Sequence, residues 1–332
     1  MRVIISGGGT GGHIFPAISI ANAVKTLRPD AEILFVGALG RMEMERVPAA
    51  GYSIVGLPIM GFPRKPGLST FKFFGSLFKS MNKARTIIKD FKPQVAVGVG
   101  GYASGPVLRV AASNGIPCLI QEQNSYAGLT NRLLAKKVKS VCVAYDNMER
   151  YFPASKIVHT GNPVRSSLTE NKGRKAEARQ AMGLSSDKRV LLIVGGSLGA
   201  RTLNNSVLAH VDELKNSNIE IVWQTGKYYF TDVKKQMESV DAPNIYVQEF
   251  ISNMDWAYAA ADLVISRAGA GSISELCLME KPVILVPSPN VSEDHQTKNA
   301  MALVSKNAAE FVADNHAVEV LIPRALKLIQ NE

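Results

Sequence analysis

The sequence predicts an α/β protein made of two Rossmann-like domains, each a doubly wound parallel sheet, facing one another across a cleft. Three observations predict it. Short apolar runs alternate with helical patterns along the chain, which is the pattern of repeated βαβ units. A glycine-rich loop follows the first strand of each half, around Gly7 and again around Gly195. The chain's 332 residues exceed one ordinary core and suit two domains of roughly 150 residues each.

In chain order, residues 2–5 read as a strand and residues 6–13 (Ser-Gly-Gly-Gly-Thr-Gly-Gly-His) as a loop. Residues 14–27 read as a helix. Where such a loop enters a helix, unpaired N–H groups and the helix dipole favour an anion, most simply a phosphate. His13 stands at the junction and can carry a proton near neutral pH. The helix stops at Arg28-Pro29-Asp30, a second strand covers 33–37, and a helix over 41–50 closed by Gly51 leads to a third strand near 54–57. A Pro/Gly loop over 61–67 precedes a long helical pattern over 69–91. Strands at 95–99, 117–120 and 140–143 are separated by helices near 105–114 and 129–135. Between Thr160 and Lys175 the apolar periodicity lapses, so residues 1–162 form the first domain and 163–332 the second. After a short helix around 176–182 the chain restarts as it began, with strand 189–194, glycine loop 195–200 and helix 201–214. Strands at 219–223, 245–248, 263–266, 283–286 and 310–312 then alternate with helices.

Several functions are excluded by residue type. Gly7, Gly9 and Gly12 form a literal G-x-G-x-x-G, but the acid that would hold a dinucleotide's ribose is missing, since Val36 is followed by Gly37-Ala38. No Walker lysine follows any glycine loop. Cys118, Cys142 and Cys277 lie in apolar runs at unrelated spacing, so they read as buried thiols of a reducing compartment and not as a zinc site. No apolar run reaches the ~18 residues of a spanning helix, and the first residues enter a strand without a signal-peptide pattern. The expectation is a cytoplasmic chain, soluble or peripheral. The net charge of +10 is uneven: residues 1–162 carry 20 Lys and Arg against 8 Asp and Glu, residues 163–332 carry 18 against 20. The first domain therefore suits an anionic partner, either nucleic acid or an acidic membrane surface, or else carries a merely solvated basic face.

Three further loops carry candidate chemistry. The second, 98–106, brings backbone and Tyr102 toward a ligand. The third, 195–200, offers N–H groups and the Ser197 hydroxyl at a helix start. The fourth, 266–275, leaves a strand and enters a helix carrying Glu275, which is either a dipole partner or a ligand for the two hydroxyls of a ribose. Loops three and four outline a nucleotide site in the second domain.

Residues 8–16, 100–106, Gln121-Glu122-Gln123-Asn124, 161–165, Gly195-Gly196-Ser197 and 294–300, in this order, resemble the MurG family of bacterial N-acetylglucosaminyltransferases. The resemblance runs from Arg2 to about residue 312. It implies a GT-B fold and an inverting transfer of GlcNAc from UDP-GlcNAc to the C4 hydroxyl of MurNAc on undecaprenyl-pyrophosphoryl-MurNAc-pentapeptide, at the cytoplasmic face of the plasma membrane. It implies no cofactor and no nucleic-acid partner. By similarity, Thr10, Gly11 and Gly12 lie against the donor and Asn124 reaches its sugar. Arg165 and Ser197 address the diphosphate and its surroundings, and Ile251 offers backbone hydrogen bonds to uracil. Ala270, Gly271, Ser272, Ile273, Ser274 and Glu275 hold ribose and phosphates, and Gln296 the GlcNAc hydroxyls. The pattern departs at Leu198, where many relatives carry Gln. The helical pattern also runs to the last residues, where relatives continue with a segment packing back on the first domain, so the expectation is a chain truncated there.

Inversion is a single displacement and needs a base opposite the leaving UDP. His13 is the first choice and Glu122 the second. The chain has no D-x-D pair, so a metal bridge to the diphosphate is not expected, and helix N-termini with Arg165 supply that stabilisation. In the helix after Pro66, Phe74, Leu77, Phe78, Met81, Ala84 and Ile88 share one stripe, while Lys72, Lys79 and Lys83 project from another side. That helix is a core element with solvated lysines, or it docks on anionic headgroups through Phe74, Leu77, Phe78 and the three lysines. Rival readings are another GT-B enzyme, such as a glycolipid transferase or a UDP-GlcNAc 2-epimerase, and a non-catalytic nucleotide-sugar sensor.

Overall fold

The structure, a computed structural model, describes residues 1–62, 67–291 and 294–331. Most of the Pro/Gly loop expected over 61–67 therefore lies outside the described residues. The chain divides into two compact units, Met1–Val164 and Arg165–Glu332.

The first unit holds strands β1 (Arg2–Ser6), β2 (Glu32–Ala38), β3 (Ser53–Leu57), β4 (Val95–Gly98), β5 (Cys118–Glu122), β6 (Ser140–Val143) and β7 (Ile157–His159). Its helices are α1 (Gly11–Leu27), α2 (Glu43–Ala49), α3 (Leu68–Phe91), α4 (Ser104–Ser113) and α5 (Leu129–Leu134). The strands form one sheet in the order β3-β2-β1-β4-β5-β6-β7, every pairing parallel. Side-chain alternation gives the sheet two apolar faces. Ile4, Ala96 and Ile120 pack with Ala84 and Ile88 of α3 and Val107 and Leu108 of α4. Val3, Ile5 and Val97 pack with Ile14, Ala17 and Ala21 of α1.

The second unit holds α6 (Ser166–Asn171), α7 (Lys175–Ala181), β8 (Arg189–Val194), α8 (Arg201–Ala209), α9 (Val211–Lys215), β9 (Ile219–Gln224), α10 (Phe230–Met237), β10 (Ile245–Gln248), α11 (Met254–Ala260), β11 (Leu263–Ser266), α12 (Ala270–Leu278), β12 (Val283–Leu285), α13 (His295–Val304), β13 (Glu310–Phe311) and α14 (Ala317–Ile329). Its parallel sheet runs β10-β9-β8-β11-β12-β13. Leu191 and Ile193 of β8 pack with Leu203 and Val207 of α8 and Leu321 and Ile322 of α14. Trp223 is fully buried and donates its indole N–H to Asn204 Oδ1 at 3.0 Å, so its one polar atom is satisfied in the core.

Strand order reverses direction at β1/β4 in the first sheet and at β8/β11 in the second. Crevices for ligands open beyond the strand ends at such switch points. The strands end level there, Ser6 opposite Gly98 and Val194 opposite Ser266. All four glycine-bearing loops read from the sequence leave these four strands.

Several expectations change. α1 starts at Gly11, ahead of the expected 14–15, because the Thr10 carbonyl already accepts from the His13 and Ile14 N–H groups. The helix expected over 201–214 breaks at His210, whose Nδ1 turns back to the Ser206 carbonyl at 3.0 Å. α6 falls within the stretch read as an aperiodic boundary. It is held by buried Leu168 and by Asn171, which donates to Asp255 at 2.6 Å, contacts that local periodicity does not register. Cys118 is buried as expected, but Cys142 is half-buried and Cys277 exposed, because each sits on a face its element turns partly outward.

Candidate functional site

In the first unit the loops after β1 and β4 interlock. Gly101 has φ +82°, and a Cβ on it would lie 2.4 Å from the Gly8 carbonyl oxygen, so only glycine lets the second loop pass so close to the first. Thr10 is the N-cap residue of α1, and the N–H groups of Gly11 and Gly12 fall in a first turn that has no intrahelical acceptors for them. His13 is in the same turn. Its Nδ1 lies 3.1 Å from the Gly8 carbonyl and 3.4 Å from Thr10 Oγ1. Its Nε2 stands beside Gly100, where an added Cβ would come within 2.8 Å.

The Gly9 N–H is not offered to a ligand. It donates to Glu43 Oε2 at 2.9 Å, and the Ala38 N–H donates to Glu43 Oε1 at 2.9 Å. Sequence reasoning missed Glu43, which is 1% exposed. The only local signal was an acid in the first turn of α2, where it reads as an ordinary dipole partner.

Glu122 ends β5 and is buried. Its Oε1 accepts from the Asn124 N–H and side-chain amide at 3.1 and 3.4 Å, and its Oε2 from the Gly128 N–H and Asn131 Nδ2 at 3.0 and 2.8 Å. Four donors on one carboxylate shape the 123–128 loop and orient Asn124. With its four lone-pair sites engaged, this carboxylate is the weaker of the two candidate bases.

In the second unit the loops after β8 and β11 wall one cavity of about 600 Å³. Gly195, Gly196, Gly199 and Ala200 meet Gly269, Ser272 and Gln296 there. Gln296 Oε1 accepts from the Ser288 N–H at 2.8 Å, which fixes the amide. Arg267 and Asp314, in the same wall, form an ion pair that sequence reasoning did not find. Ser197 is exposed at the loop tip, outside that wall. Ala270 and Ile273 turn their side chains into the interior, and the Ser274 hydroxyl donates to the Ala270 carbonyl at 2.9 Å, so Ala270 and Ile273 can offer a ligand only backbone. Gly271, beside them in the first turn of α12, has no side chain to offer.

Arg165, just before α6, meets Glu275 of α12, with Nε and Nη2 at 3.0 and 2.9 Å from Oε1. Tyr258, almost wholly buried, hydrogen-bonds the same carboxylate. Burial pushes the Glu275 carboxyl above its ordinary value, with the charge and hydrogen bond of Arg165 and the bond from Tyr258 pulling against it. Two residues expected separately, one for the diphosphate and one for the ribose, are thus in contact, and Tyr258 is an addition hidden in an alanine-rich run. Ile251 lines a smaller cavity of about 320 Å³ with Gln248, Asn253 and Trp256. Its N–H already donates to Gln224 Oε1 at 3.2 Å, so of the two backbone groups expected for uracil the carbonyl is the one left to it.

On α3 the stripe that docks on the core is Leu77, Met81, Ala84 and Ile88. Phe74 and Phe78, expected in that stripe, are 57% and 66% exposed beside Phe71 at 78%, and Lys72, Lys79 and Lys83 are exposed as well. A 24-residue helix is about 36 Å long. Strands of about five residues span roughly 17 Å, so the first turns of α3 overhang the sheet.

Residues 3–143 match the glycosyltransferase family 28 N-terminal domain and residues 190–332 its C-terminal domain. The UDP-N-acetylglucosamine–N-acetylmuramyl-(pentapeptide) pyrophosphoryl-undecaprenol N-acetylglucosamine transferase of Parabacteroides distasonis is 60% identical over 331 residues, covering 100% of this chain and 90% of that protein. The chain belongs to the MurG family. The crystal structure of Acinetobacter baumannii MurG superposes with a TM-score of 0.76 at 30% identity, over 99% of this chain and 91% of that one. A Neisseria meningitidis UDP-GlcNAc 2-epimerase, solved bound to UDP-GlcNAc, superposes at 0.66 but is only 15% identical over 100% of this chain and 95% of that one, and so shares the GT-B fold. As a MurG-family member this chain is a family 28 glycosyltransferase.

Proposed function

We propose that this enzyme transfers GlcNAc from UDP-GlcNAc to the C4 hydroxyl of MurNAc in undecaprenyl-pyrophosphoryl-MurNAc-pentapeptide, with inversion. The observation that carries this reading is the pair of loops at the β8/β11 switch point, which share one cavity with Gln296 in a chain so close to a transferase of that specificity. The second unit binds the donor: Glu275 takes the ribose hydroxyls, Arg165 and the start of α12 the diphosphate, Gln296 the sugar. Thr10, Gly11, Gly12 and Asn124 of the first unit address the transferred sugar, and Ser197 closes the diphosphate end. The C4 oxygen bonds to C1 as the bond from C1 to the β-phosphate oxygen breaks. UDP leaves with that electron pair, and the hydroxyl proton goes to His13 Nε2.

A coupled assay of UDP release, with and without the lipid-linked acceptor, tests the reading. Acceptor-dependent release with a disaccharide product is expected. UDP-GlcNAc binding with neither UDP release nor a change in the sugar makes the protein a sensor, and UDP-N-acetylmannosamine, or its hydrolysis products UDP and N-acetylmannosamine, formed without acceptor makes it an epimerase.

The enzyme works at the cytoplasmic face of the membrane as a peripheral protein. None of the helices among the described residues is long and apolar enough to cross a bilayer. The overhanging start of α3 presents Phe71, Phe74 and Phe78 flanked by Lys72, Lys79 and Lys83, which suits shallow insertion among anionic headgroups at about 1 kcal/mol per basic residue. In vesicle co-sedimentation, replacing the three phenylalanines by serine abolishes binding, and neutral vesicles capture far less wild-type protein than anionic ones. Equal capture by both sinks the electrostatic part.

A further inference from the structure

We propose that Glu43 is a positioning residue for the transfer reaction, acting through the first glycine loop to set the tautomer and aim of His13. The proposal rests on the reading of His13 as the base. A dinucleotide-binding fold keeps its acid at the end of the second strand for a ribose. Here that place is held by Gly37 and Ala38, and the acid comes from the start of α2 instead. It is turned inward and engaged on both oxygens, which accept backbone N–H groups from Gly9 at the tip of the loop and from Ala38 at the end of β2.

The glycines around it have the shape of its cradle. A Cβ on Gly8 would lie 2.2 Å from Glu43 Oε1 and one on Gly37 2.5 Å from Glu43 Cγ, so the carboxyl fills the space that side chains would take. Glu43 thereby pins the Gly8–Gly9 peptide from one side. From the other side the Gly8 carbonyl meets His13 Nδ1 at 3.1 Å. A carbonyl can only accept, so this contact requires Nδ1 to carry the proton, and Thr10 Oγ1 can accept from the same nitrogen at longer range. The hydrogen bond at one ring nitrogen decides the state of the other. Nε2, beside Gly100, is then the basic nitrogen. The chain of control runs from Glu43 to the Gly9 N–H, through the Gly8 carbonyl, to the imidazole.

Glutamine at 43 is not conservative, because both partners are donors and a carboxamide has one oxygen for two of them. Glu43→Gln should therefore lower kcat by roughly 10- to 100-fold, as a small misplacement of a catalytic group does, while affinity for UDP, bound by the other unit, stays unchanged. Gly37→Ala displaces the carboxyl without removing it and should lower kcat in the same way. Imidazole ¹⁵N spectra give a readout that needs no turnover. The five histidines are assigned with His13→Ala as reference, and wild-type His13 is expected with its proton on Nδ1. Both variants are expected to move the population toward the Nε2-protonated form. Wild-type His13 protonated on Nε2 overturns the proposal without any variant, and so does a folded variant that keeps both tautomer and kcat. Absence of acceptor-dependent turnover in the wild-type chain counts against the functional reading instead, and the tautomer and its response to Glu43 still decide this one.

Discussion

Replacing His13 by alanine lowers kcat by roughly 10²- to 10⁴-fold, the contribution of one positioned acid–base group, and leaves UDP affinity where it was. The reason is geometric. His13 is held in the first turn of α1 by its own loop, while the groups proposed for UDP lie in the second unit. Steady-state kinetics with saturating acceptor, alongside calorimetric titration with UDP, separate the two effects. Loss of turnover within a few-fold of wild type removes the base assignment, and a parallel loss of UDP affinity removes the division of labour. With Glu122 engaged by four donors, Glu122→Ala is expected to disorder the 123–128 loop, and it does not report on proton transfer.

Glu275→Ala weakens UDP binding by about 10- to 100-fold, since each hydrogen bond to a charged group is worth about 1.5–3 kcal/mol. It also leaves Arg165 without the carboxylate that now orients it. Titration with UDP and with 2′-deoxy-UDP measures this directly: the wild type discriminates between them, and the variant does not. Equal affinity of the wild type for both nucleotides excludes Glu275 as the ribose ligand. Glu275→Gln tests the electrostatics. In the folded chain the Glu275 carboxyl titrates above its ordinary value of 4.5, chiefly because it is buried. The folded state therefore holds a proton that the unfolded state has already lost, and stability falls as pH rises from about 4.5 through the raised value. The urea midpoint of the wild type should drop relative to Glu275→Gln across that window and run parallel to it at higher pH. Parallel curves throughout contradict the raised value.

Much of this molecule was legible in one dimension because its signals are local. Buried parallel strands are short apolar runs, and glycine loops after the first strand of each half marked both switch points. His13 and Glu275 were singled out as candidates by chemistry placed at helix starts. Contacts made at a distance were not legible. Glu43 looks like a helix-start acid until β2 and the first loop fold around it. Glu122 shows nothing in one dimension of the donors from Asn124, Gly128 and Asn131 that engage it. Tyr258 looks like core, and Phe74 and Phe78 share a stripe with Leu77 that says nothing about where the sheet beneath it ends.

The sequence alone determined the α/β class, most of the strand–helix alternation, the glycine loops at the switch points and the family, since all of these follow from residue type and spacing within a few turns. Tertiary structure alone decided which polar groups are spent on holding loops and which are left for a ligand. A carboxylate's role depends on how many donors surround it, and those donors come from residues up to 34 positions away in the case of Glu43 and Gly9.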